Sequence, residues 1–217
     1  MKTDFLIVGQ GLAGSLIAWF LRQSDQRVLV VDRDEPNTSS KVAAGLVTPL
    51  PGSSFSLSDT LDERLTAAAQ CYWVIEEETG ARFYHHQRIA RLFRNVEEQQ
   101  KWSAKLSANP DLLAPYHADL EIDDTLIAPF GGFEMKRGGR RGVRVFVEPI
   151  RQWLLEQASY AIGRVEPADI ALGDSGIRWK NVEAKAVIFA EGWTGMKNPY
   201  FDWLPSHPAA GDILDVK

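Results

Sequence analysis

Three glycines spaced Gly9-x-Gly11-x-x-Gly14, with the acid Asp32 eighteen residues past the last of them, are residue types that can hold a pyrophosphate and a ribose. Gly11 has no Cβ, so backbone N–H groups can approach the phosphates, and Gly14 lets a following helix pack closely on the preceding strand. A helix opening at Leu12 turns its positive N-terminal end to the same place. Glycine spacing alone is weak, because any tight strand-to-helix turn uses glycine. The flanking residues add the rest: Phe5–Val8 is a short apolar run, roughly Leu12 to Arg22 is amphipathic, and Val28–Val31 is a second apolar run ending at Asp32. Strand, turn, helix, strand and acid in that order predict a dinucleotide-binding unit.

Other chemistry is sparse. The single cysteine, Cys71, excludes an internal disulfide and a cysteine-built metal site, and its helical setting makes it a packing residue. His85 and His86 are adjacent, so in a strand they point to opposite faces and do not easily share a metal. No Ser/His/Asp or Cys/His set has helpful spacing; no catalytic acid or base and no metal site is assigned. Arg137, Arg140, Arg141 and Arg144 form a local basic cluster that reads as a solvated β-turn, and a net charge of −5 argues against a generic nucleic-acid surface.

The elements that position these residues run the length of the 217-residue chain, long enough for one large or two small domains. After Asp32 comes a turn-rich stretch, Arg33–Ser40, then Lys41–Leu50, whose Ala43, Ala44 and Gly45 let backbone approach a flat ring and whose exit Pro49 and Pro51 stiffen. A helix is predicted from about Asp59 to Thr79, with Thr60 and Glu63 as a capping box and Gly80 as its stop. From Ala81 the chain becomes predominantly β: strands at 83–87 and 88–93, a short helix at about 96–106 begun by Asn95 and Glu98, a linker at 110–115, turns at Gly131-Gly132 and Arg137–Arg140, and strands ending in Val143, Val145 and Val147. Glu148-Pro149 is expected to open a helix to about Tyr160. Strands are expected at 163–170, 177–179 and 184–190, the last returning to the ligand through Glu191-Gly192. No apolar run reaches membrane-spanning length, and the N-terminus is the first strand rather than a cleaved signal peptide, so cytoplasmic residence is expected.

Together these pieces resemble the D-amino-acid oxidase type of FAD-dependent oxidoreductase, the family of glycine oxidase and sarcosine oxidase. The resemblance rests on Gly9–Gly14 with Asp32, on Ser39–Gly45 with Pro49, on Val147-Glu148-Pro149, on Arg164-Val165 and on Val187–Gly192. It implies an α/β fold: an FAD/NAD(P)-binding Rossmann-like domain from residues 1–80 and 143–217, with an inserted β-rich substrate domain at 81–142. It implies FAD as cofactor. Gly9, Gly11, Leu12, Ala13 and Gly14 would hold the pyrophosphate, Asp32 the adenosine ribose and Arg33 the adenine side of that ribose. Lys41, Ala43, Ala44, Gly45 and Leu46 would lie along the ribityl chain and isoalloxazine. Val165 would bond adenine through its backbone, and Ala190, Glu191, Gly192 and Trp193 would close over the dinucleotide.

The implied activity is hydride transfer from a carbon bearing an amine to the flavin, on a small amine or amino-acid substrate. Family members generally continue past a segment like Gly211–Asp215 to a final glycine motif facing the flavin pyrimidine ring; the expectation is therefore an N-terminal portion of such an enzyme, truncated at its C-terminus and without oxidase turnover by itself. Two other readings share the glycine motif: an NAD(P)-dependent dehydrogenase, against which the long insertion before Val187 argues, and a non-catalytic nucleotide-binding module.

Overall fold

A computed structural model describes residues 1–50, 59–116 and 128–208. Pro51 and the Gly211–Asp215 segment lie outside the described residues, as does the side chain of Arg141. Two compact units divide the chain, Met1–Ala44 with Val143–Lys217, and Gly45–Gly142.

The first segment contains β1 (Phe5–Val8), α1 (Leu12–Gln23), β2 (Val28–Asp32) and the short α2 (Ser39–Val42). The middle segment contains β3 (Leu46–Val47), α3 (Leu61–Thr79), β4 (Tyr84–His86), β5 (Ile89–Leu92), α4 (Val96–Ala108), β6 (Leu113–Tyr116), β7 (Gly132–Met135) and β8 (Gly139–Arg141). The last contains α5 (Val143–Glu156), β9 (Tyr160–Ile162), β10 (Ile170–Gly173), β11 (Gly176–Trp179), β12 (Val182–Ala184) and β13 (Ala186–Phe189).

In the first unit a parallel sheet runs in the order β13-β1-β2-β9. Leu6 lies opposite Val187 on one side and Leu29 on the other. Both faces are covered, which is why β1 and β2 read as unbroken apolar runs. Leu6, Val8, Leu29 and Val31 pack with Ile170, Ile177, Trp179 and Val182 of the small antiparallel sheet β10-β11-β12. The alternate residues Ile7 and Val30 point the other way, toward the side where α1 and α5 pack together with Trp19 4.6 Å from Trp153 between ring centroids.

Two expectations for this unit are corrected. Val143, Val145 and Val147 are not strand residues, and Pro149 does not open a helix: α5 begins at Val143 and carries Pro149 inside it. Proline there removes one backbone donor, but Val143, Phe146, Val147, Ile150 and Leu154 fall on one stripe and are all buried, so helical packing overrides the local preference. Nor does a strand span 163–170. The edge strand beside β2 is β9, which pairs with β2 only as far as Asp32 opposite Ile162, and a 3₁₀ turn at Pro167–Asp169 precedes β10.

The second unit has two antiparallel sheets, β3-β8-β4 and β5-β7-β6. Trp102 of α4 stacks on Phe133 of β7 at 3.5 Å, with Phe93, Leu113 and Met135 around them. The expected linker at 110–115 is in part strand β6, because Leu113, 2% exposed, pairs with Met135 and fills that core. Pro115 is tolerated since β6 is an edge strand. The unit takes in β3 and α3, unlike the 81–142 limits expected for the insertion. Leu46 pairs with Arg140, and Glu76 of α3 accepts the backbone N–H groups of Phe83 and Tyr84 at 2.7 and 2.8 Å. Gly80 ends α3 in the left-handed region, whereas the Thr60 side chain does not cap its start, its carbonyl accepting the Arg64 N–H at 3.0 Å. Asn95 does cap α4, accepting the Glu98 N–H at 2.9 Å. Arg137 is ion-paired with Asp62, and His85 and His86 are exposed.

Candidate functional site

At the C-terminal end of β1 the chain leaves through Gly9 at φ +97°, a conformation in which a Cβ would lie 2.6 Å from the Ala190 carbonyl oxygen. A Cβ on Gly14 would overlap the Gly9 carbonyl and come within 3.3 Å of Ala190 Cβ. The turn, α1 and the end of β13 are thus locked together by an absence of side chains. Gly11 differs: its Cβ would meet no backbone but the side chain of Ser40, the hydroxyl at 2.9 Å. That hydroxyl accepts the Leu12 N–H at 3.0 Å and so caps α1, whose own N-cap Gly11 has no side chain to offer.

Asp32 at the end of β2 receives a backbone N–H on each oxygen, Gln10 to Oδ2 and Asp34 to Oδ1, both at 2.7 Å. Gln10 is buried and fully bonded: its amide donates to Ser15 Oγ at 3.1 Å and to the Val147 carbonyl at 2.9 Å, and its Oε1 accepts from Arg151 Nε at 2.8 Å. Arg151 also donates to Asp34 Oδ1. Lys41 donates to the same oxygen at 2.9 Å and to the Glu35 carbonyl at 2.7 Å. Lys41 and Arg151 together hold the Asp34 carboxyl below the usual carboxylate range, the Lys41 hydrogen bond being the larger cause. The Tyr160 ring lies 5.3 Å from the Arg151 guanidinium carbon, and burial pushes its phenol up to about 12.

The third wall is the return turn. Ala190 N–H donates to the Val8 carbonyl at 2.8 Å, and a 3₁₀ helix follows over Gly192–Lys197. Asn198, buried, donates to Glu191 Oε2 at 2.8 Å. Trp193 stays 57% exposed, with Lys197 Nζ 5.8 Å from its ring centroid.

These three walls enclose a cleft of about 730 Å³. Gly9, Gly11, Leu12, Ala13, Asp32 and Arg33 line it, and so do Lys41, Val165, Ala190, Glu191, Gly192 and Trp193. Gly14 lies beneath the turn, Ala43 and Ala44 do not line the cleft, and Gly45 and Leu46 belong to the second unit. The cleft's other cations are largely partnered, Arg33 with Glu35, Lys41 with Asp34 and Arg164 with Glu166. Sequence reasoning missed Gln10, Asp34, Ser40 and Arg151. Ser40 stood in a motif already noted, but nothing local signals that it reaches α1.

The arrangement offers amide donors, a helix N-terminus and a carboxylate acceptor along one trough, suited to an anionic dinucleotide. Comparison with known proteins agrees. The sequence matches the family model described as FAD dependent oxidoreductase over residues 4–217. Over 46 residues it is 42% identical to the uncharacterized oxidoreductase YurR of Bacillus subtilis (strain 168), a stretch covering 21% of this chain and 12% of that protein. Among solved structures, glycine oxidase from Geobacillus kaustophilus superposes with a TM-score of 0.72 at 17% identity, covering 91% of this chain and 57% of that one. Iminodiacetate oxidase from Chelativorans sp. BNC1 gives 0.69 at 14% identity, covering 90% and 57%. The chain therefore spans somewhat over half the length of these structures. Among the described residues no helix is long and apolar enough to cross a membrane.

Proposed function

Because the chain belongs to the family of FAD-dependent oxidoreductases, we propose that it builds the FAD-binding part of an enzyme that oxidises the C–N bond of an amino acid or secondary amine. The observation that carries this reading is the junction at the ends of β1, β2 and β13, where a glycine turn, the N-terminus of α1 and the Asp32 carboxylate border one cleft. FAD fits this donor set. Gly11 leaves the N-terminus of α1 without a side chain of its own, the Ser40 hydroxyl capping it from α2, and Asp32 is an acceptor fixed by backbone. In this reading Gly9, Gly11, Leu12 and Ala13 hold the pyrophosphate and Asp32 the adenosine ribose. Arg33 and Val165 serve the adenine side, and Ala190–Trp193 close over the dinucleotide. Lys41 acts at one remove, by holding Asp34. When bound, FAD supplies the acceptor for the hydride that leaves the amine-bearing carbon.

The residues assigned here bind and orient; none is given an acid or base role. The second unit is read as the first part of a substrate domain, and cytoplasmic residence belongs to the same proposal. Support for the substrate class comes from glycine oxidase and iminodiacetate oxidase, whose named substrates both carry an amine. The test is the cofactor released on heat denaturation of purified protein. FAD supports the reading; NAD would make the chain part of a dehydrogenase, and ADP or AMP a non-catalytic module, and either would overturn it. Anaerobic mixing with a panel of amino acids and secondary amines then reads the substrate class as loss of flavin absorbance.

A further inference from the structure

We infer that Arg151 is a positioning residue for the nucleotide: through two hydrogen-bonded arms it fixes where Asp32 presents its carboxylate to a ribose. The inference rests on the reading of Asp32 as the ribose acceptor given above. Each oxygen of Asp32 is held by one backbone N–H, from Gln10 and from Asp34. The side chains of those same two residues are held by one guanidinium, Arg151 Nε on Gln10 Oε1 and Nη1 on Asp34 Oδ1. Arg151 thus grips both residues that grip Asp32, one from the glycine turn and one from the loop after β2.

The clamp is indirect in a way that matters for binding. Arg151 Nη2 stands 4.0 Å from Asp32 Oδ1, too far for a hydrogen bond, so the guanidinium does not occupy the carboxylate it positions. A direct two-pronged pair would take up acceptor capacity that a ribose needs. The spare nitrogen is buried with no hydrogen-bond partner, as is the Tyr160 hydroxyl. A tie between α5 and the turn needs only Nε and gives no reason to bury that donor. Arginine is required because its rigid fork reaches two acceptors on different segments at once, whereas a lysine ammonium is a single point.

The experiment measures binding of ADP, 2′-deoxy-ADP and 3′-deoxy-ADP to the full chain and to its Arg151→Lys and Arg151→Met variants, with thermal midpoints alongside. In the unsubstituted chain at least one deoxy form should bind about tenfold more weakly than ADP, the loss of a charge-assisted hydrogen bond. Arg151→Met should bring that discrimination to within about twofold, with Arg151→Lys between, because the contact selected by Asp32 is no longer presented. In an Asp32→Ala background Arg151→Met should cost less than about twofold further, since coupled residues are non-additive. Equal weakening of all three nucleotides, or additive losses in the double variant, would show a merely structural arginine and overturn the inference. Absence of ADP and FAD binding by the unsubstituted chain would instead overturn the functional reading on which it stands.

Discussion

The two turns that face the cleft are built on different principles. At Gly9 and Gly14 side chains are excluded by neighbouring backbone: the Ala190 and Gly9 carbonyls occupy the positions that their Cβ atoms would need. At Gly192 nothing lies within 4 Å of an added Cβ, and only a φ of +59° asks for glycine. The first turn is a packed joint between three elements; the second is a bend held by Glu191 and Asn198. A dinucleotide bound between them would meet one wall fixed by the fold and one wall that can be altered at small cost.

Substitution can break this contrast. The largest expected effect is at Gly14, where valine would be driven into the Gly9 carbonyl; a loss of at least about 3 kcal/mol in unfolding free energy is expected, beyond ordinary overpacking. Urea denaturation measures it, and a stable Gly14→Val protein would remove the packed-joint account. Next is Gly11→Val, which should leave the chain folded, because its Cβ meets the Ser40 side chain and no backbone and displaces the cap of α1 at a cost of about 1 kcal/mol, yet abolish dinucleotide binding by filling the approach to α1. Unchanged cofactor content in folded Gly11→Val protein would move the pyrophosphate elsewhere. Asp32→Ala should then weaken FAD binding by about 1.5 to 3 kcal/mol, read by flavin fluorescence titration.

The same contrast explains what could be read from the residues alone. The β1-α1-β2 unit was legible because each part is decided within a few residues: apolar runs buried on both faces, and a turn whose glycines adjoin what they must avoid. Gly9, Gly11 and Asp32 followed from that local pattern, Leu12 and Ala13 from the family resemblance, and all five line the cleft. The α5 helix was not legible. Val143-Arg-Val-Phe-Val147 is rich in β-branched and aromatic residues and so resembles a strand over five residues, and only the longer stripe ending at Leu154 shows the helical period. Arg151 was hidden for another reason. Its bonds to Asp34 and Gln10 span 117 and 141 residues, and no local signal links positions so far apart. The strand at Leu113–Tyr116 was missed because Pro110 and Pro115 speak for a linker, while the partner that makes it a strand, β7, comes later in the chain.

A smaller effect sharpens the comparison from the other turn. Gly192→Ala places a side chain in open space but keeps the left-handed φ, so it should cost about 1 kcal/mol of stability and little binding. A loss of cofactor comparable to that of Gly11→Val would show that the second turn is as tightly constrained as the first.

The smallest expected effect concerns the loop that the first turn shares with Asp34. The Asp34 carboxyl is held below the usual carboxylate range first by the Lys41 hydrogen bond and then by Arg151. A carboxyl depressed in the folded state contributes stability that is fully present above its unfolded value and disappears as pH falls through its folded value. Between neutral pH and about pH 5 the contribution should therefore be constant, and its loss should begin only around pH 4 and continue downward. Asp34→Asn carries no titrating group, so the difference in urea midpoint between it and the unsubstituted chain isolates this site. That difference should hold steady from about pH 7 to pH 5 and close in the more acid range. Closure already above about pH 5 would mean that Asp34 is not depressed by its two cations, and that the loop gripping Asp32 is held by something other than the Lys41 and Arg151 contacts.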